Sequence, residues 1–256
     1  MEVNARALDA GRAAITGAST LPALSSAVVE GLRRELSSIE SIEVVIAPGQ
    51  GAPRGRATLE AVFSYLGAPV PVWRGGKWTQ SWGWMDMRRV RLDIGSRFAA
   101  ACDVPDLSLF PVRFDGVKTV TFHTALEFRA QHLALWCLAA LRRSGLPLPV
   151  TRWAVGLNDL ARWFDSAAGE KGGMWVSVLG ERGRGNRVRR TWQLVTPATD
   201  GPEIPCLAAT LLARRLARGE TLASGAFECM GFLRLSDFAP EFARWGMTTR
   251  IEEARA

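Results

Sequence analysis

The stretch from Ala13 to Ser26 constrains this chain most. It reads as a short apolar strand over 12–17, closed by Gly17, running into a helix whose first turn suits Pro22. Only eleven residues precede that strand, far too few for a further β-α-β unit with a glycine-rich turn ahead of it. The sequence therefore reads as the second part of a two-part α/β arrangement, with the first part missing. One glycine cluster, Gly180-Glu181-Arg182-Gly183-Arg184-Gly185, has the wrong order for a phosphate-binding turn and falls between two predicted strands. It reads as a hairpin turn, with glycine present for its permissive dihedrals.

Length and composition permit a sizeable core: 256 residues, 48% hydrophobic and 22% charged, are ordinary for a globular chain. No apolar run approaches the roughly 18 residues of a membrane span, and the N-terminus lacks a basic segment followed by an apolar one. A cytoplasmic protein is expected. The four cysteines, Cys102, Cys137, Cys206 and Cys229, are far apart, and His123 and His132 lie near no cysteine pair. No metal site is predicted, and reduced, mostly buried thiols are expected, Cys137 above all. The net charge of +7 raises nucleic acid as a partner. The arginines are spread along the chain without a binding motif, densest over 182–190, so nucleic acid is not expected.

Leu24, Val28, Leu32, Leu36 and Ile39 recur at helical spacing over a helix predicted for 21–38, and Ile42, Val44 and Ile46 alternate as a strand. The loop PGQGAPRGR (48–56) leads to a short helix ending near Gly67. A hairpin turns at Arg74-Gly75-Gly76-Lys77, and extended chain follows through Trp82 and Trp84. A strand over 117–124 precedes a long helix over 126–143, with Leu126, Leu133, Trp136, Cys137 and Leu141 expected to face inward. A second helix (151–165), a hairpin with strands 174–179 and 188–195, a linker (197–205), a helix (206–218), a strand (227–235) and a helix (237–245) complete the order. The fold class expected is α+β, an α/β remnant joined to a mixed β-sheet domain with helices on one face.

The segments GASTLPALSSAVV, IAPGQGAPRGRATLEAVFSYLG, WGWMDMR, ACDVPDLSLFP, GPEIPCLAATLLARRLARG and LRLSDFAPEFARWGMTTRIEE resemble the saccharopine dehydrogenase-like oxidoreductases. The likeness runs across essentially the whole chain, and the loop from Pro48 to Arg56 is its most specific part. It implies residues 1–40 as a residual Rossmann strand and helix, 41–200 as a central mixed-sheet substrate and dimerisation domain, and 201–256 as a C-terminal segment returning to the Rossmann side. It implies NAD(P) as cofactor, a small-molecule substrate and a homodimer. This chain lacks GxGxxG, so alone it is expected to bind no dinucleotide and to be inactive, and whether it is an enzyme stays open. The alternative is a non-enzymatic dimerising or partner-binding module that complements a separate Rossmann-bearing polypeptide. Such a surface should expose apolar residues on helices 21–38 and 206–218.

Candidate site residues follow from the chemistry of hydride transfer, which needs two reactants held face to face. The resemblance puts Gly17, Ser19 and Thr20 near the nicotinamide end of a cofactor, and helix-start amides with two hydroxyls suit a polar ligand. A plain N-cap explains them equally. Arg54, held in a Gly/Pro loop, can clasp a carboxylate through two parallel hydrogen bonds, or be an ordinary surface arginine. Trp82 and Trp84 offer apolar faces for a groove or for the core, and in an extended chain they share a face. On the strand 117–124, Val120 and Phe122 point one way while Thr119, Thr121 and His123 point the other. His123 is the candidate acid/base because an imidazole titrates near neutrality. His132 is expected at the surface or an interface.

Overall fold

The computed structural model describes residues 2–53, 55–167, 169, 171–183, 185–197 and 200–256. The chain opens with α1 (Glu2–Asp9) and β1 (Ala13–Thr16), then passes through a π-helical turn at Thr20–Leu24 into α2 (Ser25–Arg33) and β2 (Ser38–Ala47). Next come α3 (Arg56–Ser64) and two hairpins, β3 (Pro69–Arg74) with β4 (Lys77–Trp82) and β5 (Arg88–Leu92) with β6 (Gly95–Ala101). After α4 (Asp106–Arg113) and β7 (Thr119–Ala125) come the helices α5 (Arg129–Arg143) and α6 (Val150–Ala161). The long hairpin β8 (Lys171–Glu181) and β9 (Arg187–Pro197) leads to α7 (Ile204–Ala217), β10 (Gly225–Glu228), α8 (Leu235–Arg244) and β11 (Thr248–Arg255). This is an α+β fold.

Among the described residues nine strands form one mixed sheet, in the order β11-β9-β8-β2-β7-β3-β4, with β5 and β6 attached through β6 to β7. The central pair β2–β7 is parallel, setting Ile42 beside Val120 and Ile46 beside Thr124. The remaining pairings of this sheet are antiparallel. At β7 the sheet forks: Trp73 of β3 meets Val120, whereas Ala99 to Ala101 of β6 meet Ala125 to His123. A separate parallel pair joins β1 to β10, from Ala13 beside Gly225 to Thr16 beside Glu228. The segment 201–256 therefore divides. Its β10 pairs with β1, and its last strand joins the large sheet beside β9.

Alternation decides what each face of the sheet carries. Ile42 and Val44, Val120 and Phe122, Val176 and Val178, and Trp192 and Leu194 all enter the main core on one face. Over it lie the turn ending at Leu24 and α2 with Val28 and Leu32, all three buried completely or nearly so, and α4 with Phe110. Leu207 and Leu212 of α7 and Phe238 and Phe242 of α8 complete this layer. Each such side chain contributes roughly 1.5–3 kcal/mol of burial. On the opposite face a small cluster of Val45, Ala47, Val90, Ala99 and Ala125 packs the β5–β6 hairpin against the sheet.

Three expectations are corrected. Leu133, Trp136, Cys137 and Leu141 of α5 are exposed, and the residues turned inward are His132 and Ala139. Helix α2 is buried and lacks the exposed apolar face that the alternative of a partner-binding module requires of it, whereas α7 exposes Leu216. Of the thiols, Cys102 and Cys229 are buried while Cys137 and Cys206 are exposed.

Candidate functional site

Beyond the packed core the same sheet face opens into a cavity of about 770 Å3. Its floor is Ile46 and Ala47 at the end of β2, Thr124 at the end of β7, and Met174 and Thr196 of β8 and β9. Because β2 and β7 are parallel, the cavity sits at their common carboxyl ends, where open sheets leave room for ligands. The roof comes from Leu59, Val62 and Phe63 of α3, Leu135 and Leu138 of α5, and Leu157 and Leu160 of α6. No charged side chain lines it among the described residues. Its polar lining is limited to Thr20, Thr58, Thr124, Thr196, Gln131, Asn158 and the indole of Trp84.

The loop from Pro48 to Arg56 forms one rim and is tied down at several points. Gln50 Nε2 donates to Ala161 O and to Asp165 Oδ1, both at 3.0 Å, binding the loop to the end of α6. Arg97 is buried beneath it, donating to Pro48 O and Lys171 O at 3.4 Å and lying 3.7 Å from Glu127. Burial lowers the pKa of Arg97, and Glu127 opposes that shift. Arg54, the expected carboxylate clasp, lies outside the described residues. Arg56 starts α3 and pairs with Glu60 at 2.7 Å on the surface.

At the opposite rim, Gly17 adopts φ +70°, and a Cβ there would stand 2.5 Å from Pro22 Cδ, so the turn admits glycine alone without rearrangement. Ser19 makes no side-chain cap bond, contrary to the N-cap expectation, and its amide donates to Gly17 O at 2.8 Å. Ser25 and Ser26 instead donate to the carbonyls of Pro22 and Ala23. Of the three residues expected near a cofactor, Thr20 lines the cavity.

The two tryptophans part company. Trp82 ends β4 half-exposed, with the Arg143 guanidinium 4.3 Å above its ring. Trp84 is 2% exposed and lines the cavity. They do not share a face because Trp84 takes φ +61°, breaking the extended run. His132, expected at the surface, is fully buried behind Trp84, ring edge to ring face at 5.7 Å. Burial pushes its pKa down to about 4.

His123 sits on the other side of the sheet, buried, in the polar layer that includes Arg88, Asp86 and Glu43. Burial, then the neighbouring Arg88, push its pKa down to about 3, with Asp86 opposing and Arg74 adding to the shift. The expected titration near neutrality is therefore corrected: the imidazole is neutral throughout the physiological range and is not part of the cavity lining. The residues that sequence reading missed are Gln131, Asn158 and the small wall of Ala130, Ala134 and Ala161. A helix apolar on every side, as α5 is, was the available signal.

A second hollow, about 780 Å3, lies between α2, α8 and β11 and is ringed by Arg33, Arg34, Arg113, Arg234 and Arg250 with Glu30. None of the expected site residues faces it. Among the described residues no cluster of His, Cys, Asp and Glu is arranged to hold a metal ion. No described helix is long and apolar enough to cross a membrane.

No protein-family model matches this sequence, and no curated protein matches it. Among solved structures the chain is similar to apo histidine-tagged saccharopine dehydrogenase (L-Glu forming) from Saccharomyces cerevisiae, with a TM-score of 0.65. The two share 10% sequence identity over 99% of this chain and 76% of that one, so the likeness is one of fold.

Proposed function

We propose that this chain is the substrate-binding and dimerisation part of a saccharopine dehydrogenase-like NAD(P)-dependent oxidoreductase, with the apolar cavity as its substrate site. The observation that carries the reading is the position of that cavity, at the carboxyl ends of β2 and β7 with Thr20 on its rim. Its walls strip water from a ligand, and Thr20, Gln131 and Asn158 orient it.

The dinucleotide itself finds little to hold it among the described residues. Two amides of the Gly17–Leu24 turn are engaged internally, Ser19 N by Gly17 O and Leu24 N by Ser19 O, and the glycine-containing loop between β2 and α3 lacks the GxGxxG spacing and is tied through Gln50 to Ala161 and Asp165. NAD(P) would supply the hydride, and the pair β1–β10 is where a nucleotide-binding half would join. His123 takes no acid/base part at this cavity, since it is not among the lining residues and burial makes its imidazole a poor base. Exposed Leu133, Trp136, Trp153 and Leu160 on α5 and α6 supply an apolar face for a homodimer. A second reading, a module completed by a separate polypeptide, draws on the half-exposed β1 and on Val3 and Leu8 of α1, exposed by 61% and 53%.

Titration of the purified chain with NADPH and NADH, followed by nicotinamide fluorescence, tests the proposal. No saturable binding up to millimolar cofactor is expected of the chain alone. Saturable micromolar binding would overturn it and make the chain a self-sufficient dinucleotide-binding protein.

A further inference from the structure

The large sheet ends in an uncovered strand. β11 is exposed along its whole length and, among the described residues, pairs with β9 alone. Such an edge invites pairing with another chain, and native sheets blunt it with proline, a bulge, a very short strand or charge. β11 has eight residues, no proline or glycine, and an unbroken register with β9. Its charges are of both signs.

The pairing with β9 determines which backbone groups are free. Ala256 N donates to Arg187 O at 3.1 Å, one step beyond the pair Arg255–Val188, so the even-numbered residues of β11 bond to β9. The amides and carbonyls of Thr249, Ile251, Glu253 and Arg255 therefore point away from the sheet. Side chains alternate too. Exposed Ile251 lies opposite Trp192, on the face that carries the main core. Arg250 lies opposite Gln193 on the other face, paired with Asp93 at 2.5 Å and with Glu252 at 3.0 Å.

A second copy of this chain fits that edge. Opposed residues of an antiparallel pair turn their backbone groups either toward each other or both away, so a two-fold axis must pass through a residue. With the axis at Ile251, Ile251 meets its own counterpart and Thr249 exchanges backbone bonds with the second copy's Glu253. Arg250 then faces Glu252 twice, once on each side of the axis. Moving the axis by one residue sets Arg250 or Glu252 against itself. Opposite charges across a strand pair stabilise it and like charges do the reverse, so the charges favour the axis at Ile251.

We propose that β11 is a docking edge for a second copy of this chain, joined antiparallel about a two-fold axis through Ile251, with Arg250 and Glu252 selecting the register. The contact is separate from the α5–α6 face and goes beyond the substrate reading. Ile251 also edges the arginine-ringed hollow, so two such rims approach across the axis. At about 0.3 M salt that repulsion is screened to within about 6 Å, while the close pairs across the strands and the backbone bonds remain.

Sedimentation of the full chain in that salt, from micromolar to submillimolar concentration, tests the proposal. The chain should associate. Ile251→Pro removes an N–H that β9 does not use, and should abolish this contact with little change in the unfolding curve. Arg250→Glu and Glu252→Arg, each alone, should weaken association roughly tenfold or more. Mixed, the two variants should bind each other, because every opposed pair again has opposite sign. Should a variant fail to fold, amide exchange in the unmodified protein decides: Thr249, Ile251 and Glu253 should exchange slowly in concentrated solution and fast on dilution. Association that survives these three substitutions but is lost in Trp136→Glu overturns the β11 contact and leaves the α5–α6 face standing. A chain that stays monomeric, with the three amides exchanging fast at every concentration, overturns both contacts and leaves the cavity reading untouched.

Discussion

One face of the large sheet is filled at one end and hollow at the other. Between it and α2, α4, α7 and α8 lie Trp192, Phe110, Phe114 and Leu24, all less than 2% exposed. Under α3, α5 and α6 the same face presents Ile46, Thr124, Met174 and Thr196, and the roof answers with leucines and with Ala130, Ala134 and Ala161. Both halves are apolar. What separates them is how the space is filled: small residues such as Gly172, Ala130, Ala134 and Ala161, set among the leucines and Phe63 of the wall, leave a gap of the kind that Trp192, Phe110 and Phe114 close in the other half. The fold is thus stabilised at one end of the sheet and left free to take a ligand at the other.

The largest expected effect belongs to the filled half. Phe110 is fully buried and meets Phe114 edge to face at 5.2 Å. Phe110→Ala should cost about 3–5 kcal/mol in a chemical unfolding experiment, because the surrounding helices collapse only partly into the space left. A loss below about 1 kcal/mol would mean that this half is loosely packed as well, and the contrast between the halves would fail.

The filled half also holds a polar fault. Asp106 begins α4 with both carboxyl oxygens buried and unpartnered among the described residues. Burial pushes its pKa up to about 7, with nearby Ser25 pulling the other way. A raised folded-state value means that the protonated form fits the fold. The stabilising contribution is complete below about pH 4, falls between about pH 4 and pH 7, and stays lost above that. Asp106→Asn should remove the slope, stabilising the protein at pH 8 by on the order of 2 kcal/mol and changing little at pH 3.5. Unfolding curves across that range are the measurement, and parallel pH profiles for both proteins would show that Asp106 stays ionised in the fold.

How much of this was legible follows the same division. Period-two alternation over Ile42, Val44 and Ile46 and three-four spacing over Leu24, Val28 and Leu32 mark the filled half directly, since burial on one face leaves that pattern. The hairpin at Gly183 was equally readable from its glycines between two strands. The hollow half misleads for a physical reason. Helix α5 touches the cavity on one side and solvent on the other, so Leu133, Trp136 and Leu141 look like core and are not. Trp84 was named from composition, but its separation from Trp82 depends on a left-handed backbone turn that no side-chain spacing announces. His123 falls on the strand face opposite Val120 and Phe122, as alternation requires. Its lowered pKa depends on burial first and then on the β5–β6 hairpin bringing Arg88 beside it, which is tertiary information.

The smallest effect on stability should accompany one of the largest on binding. Ala134 lines the cavity from α5 and is itself exposed, which places it at the mouth. An exposed helical alanine contributes little to packing, so Ala134→Trp should shift stability by no more than about 0.5 kcal/mol. The added indole has nowhere to go but solvent or the opening. Entry of an apolar probe should then slow or stop, read as loss of Nile red fluorescence enhancement in a protein whose unfolding curve is unchanged. Undiminished dye binding would show that ligands reach the hollow half by another route. A large loss of stability would show that Ala134 belongs to the packed layer, and the line between the two halves would have to be redrawn through α5.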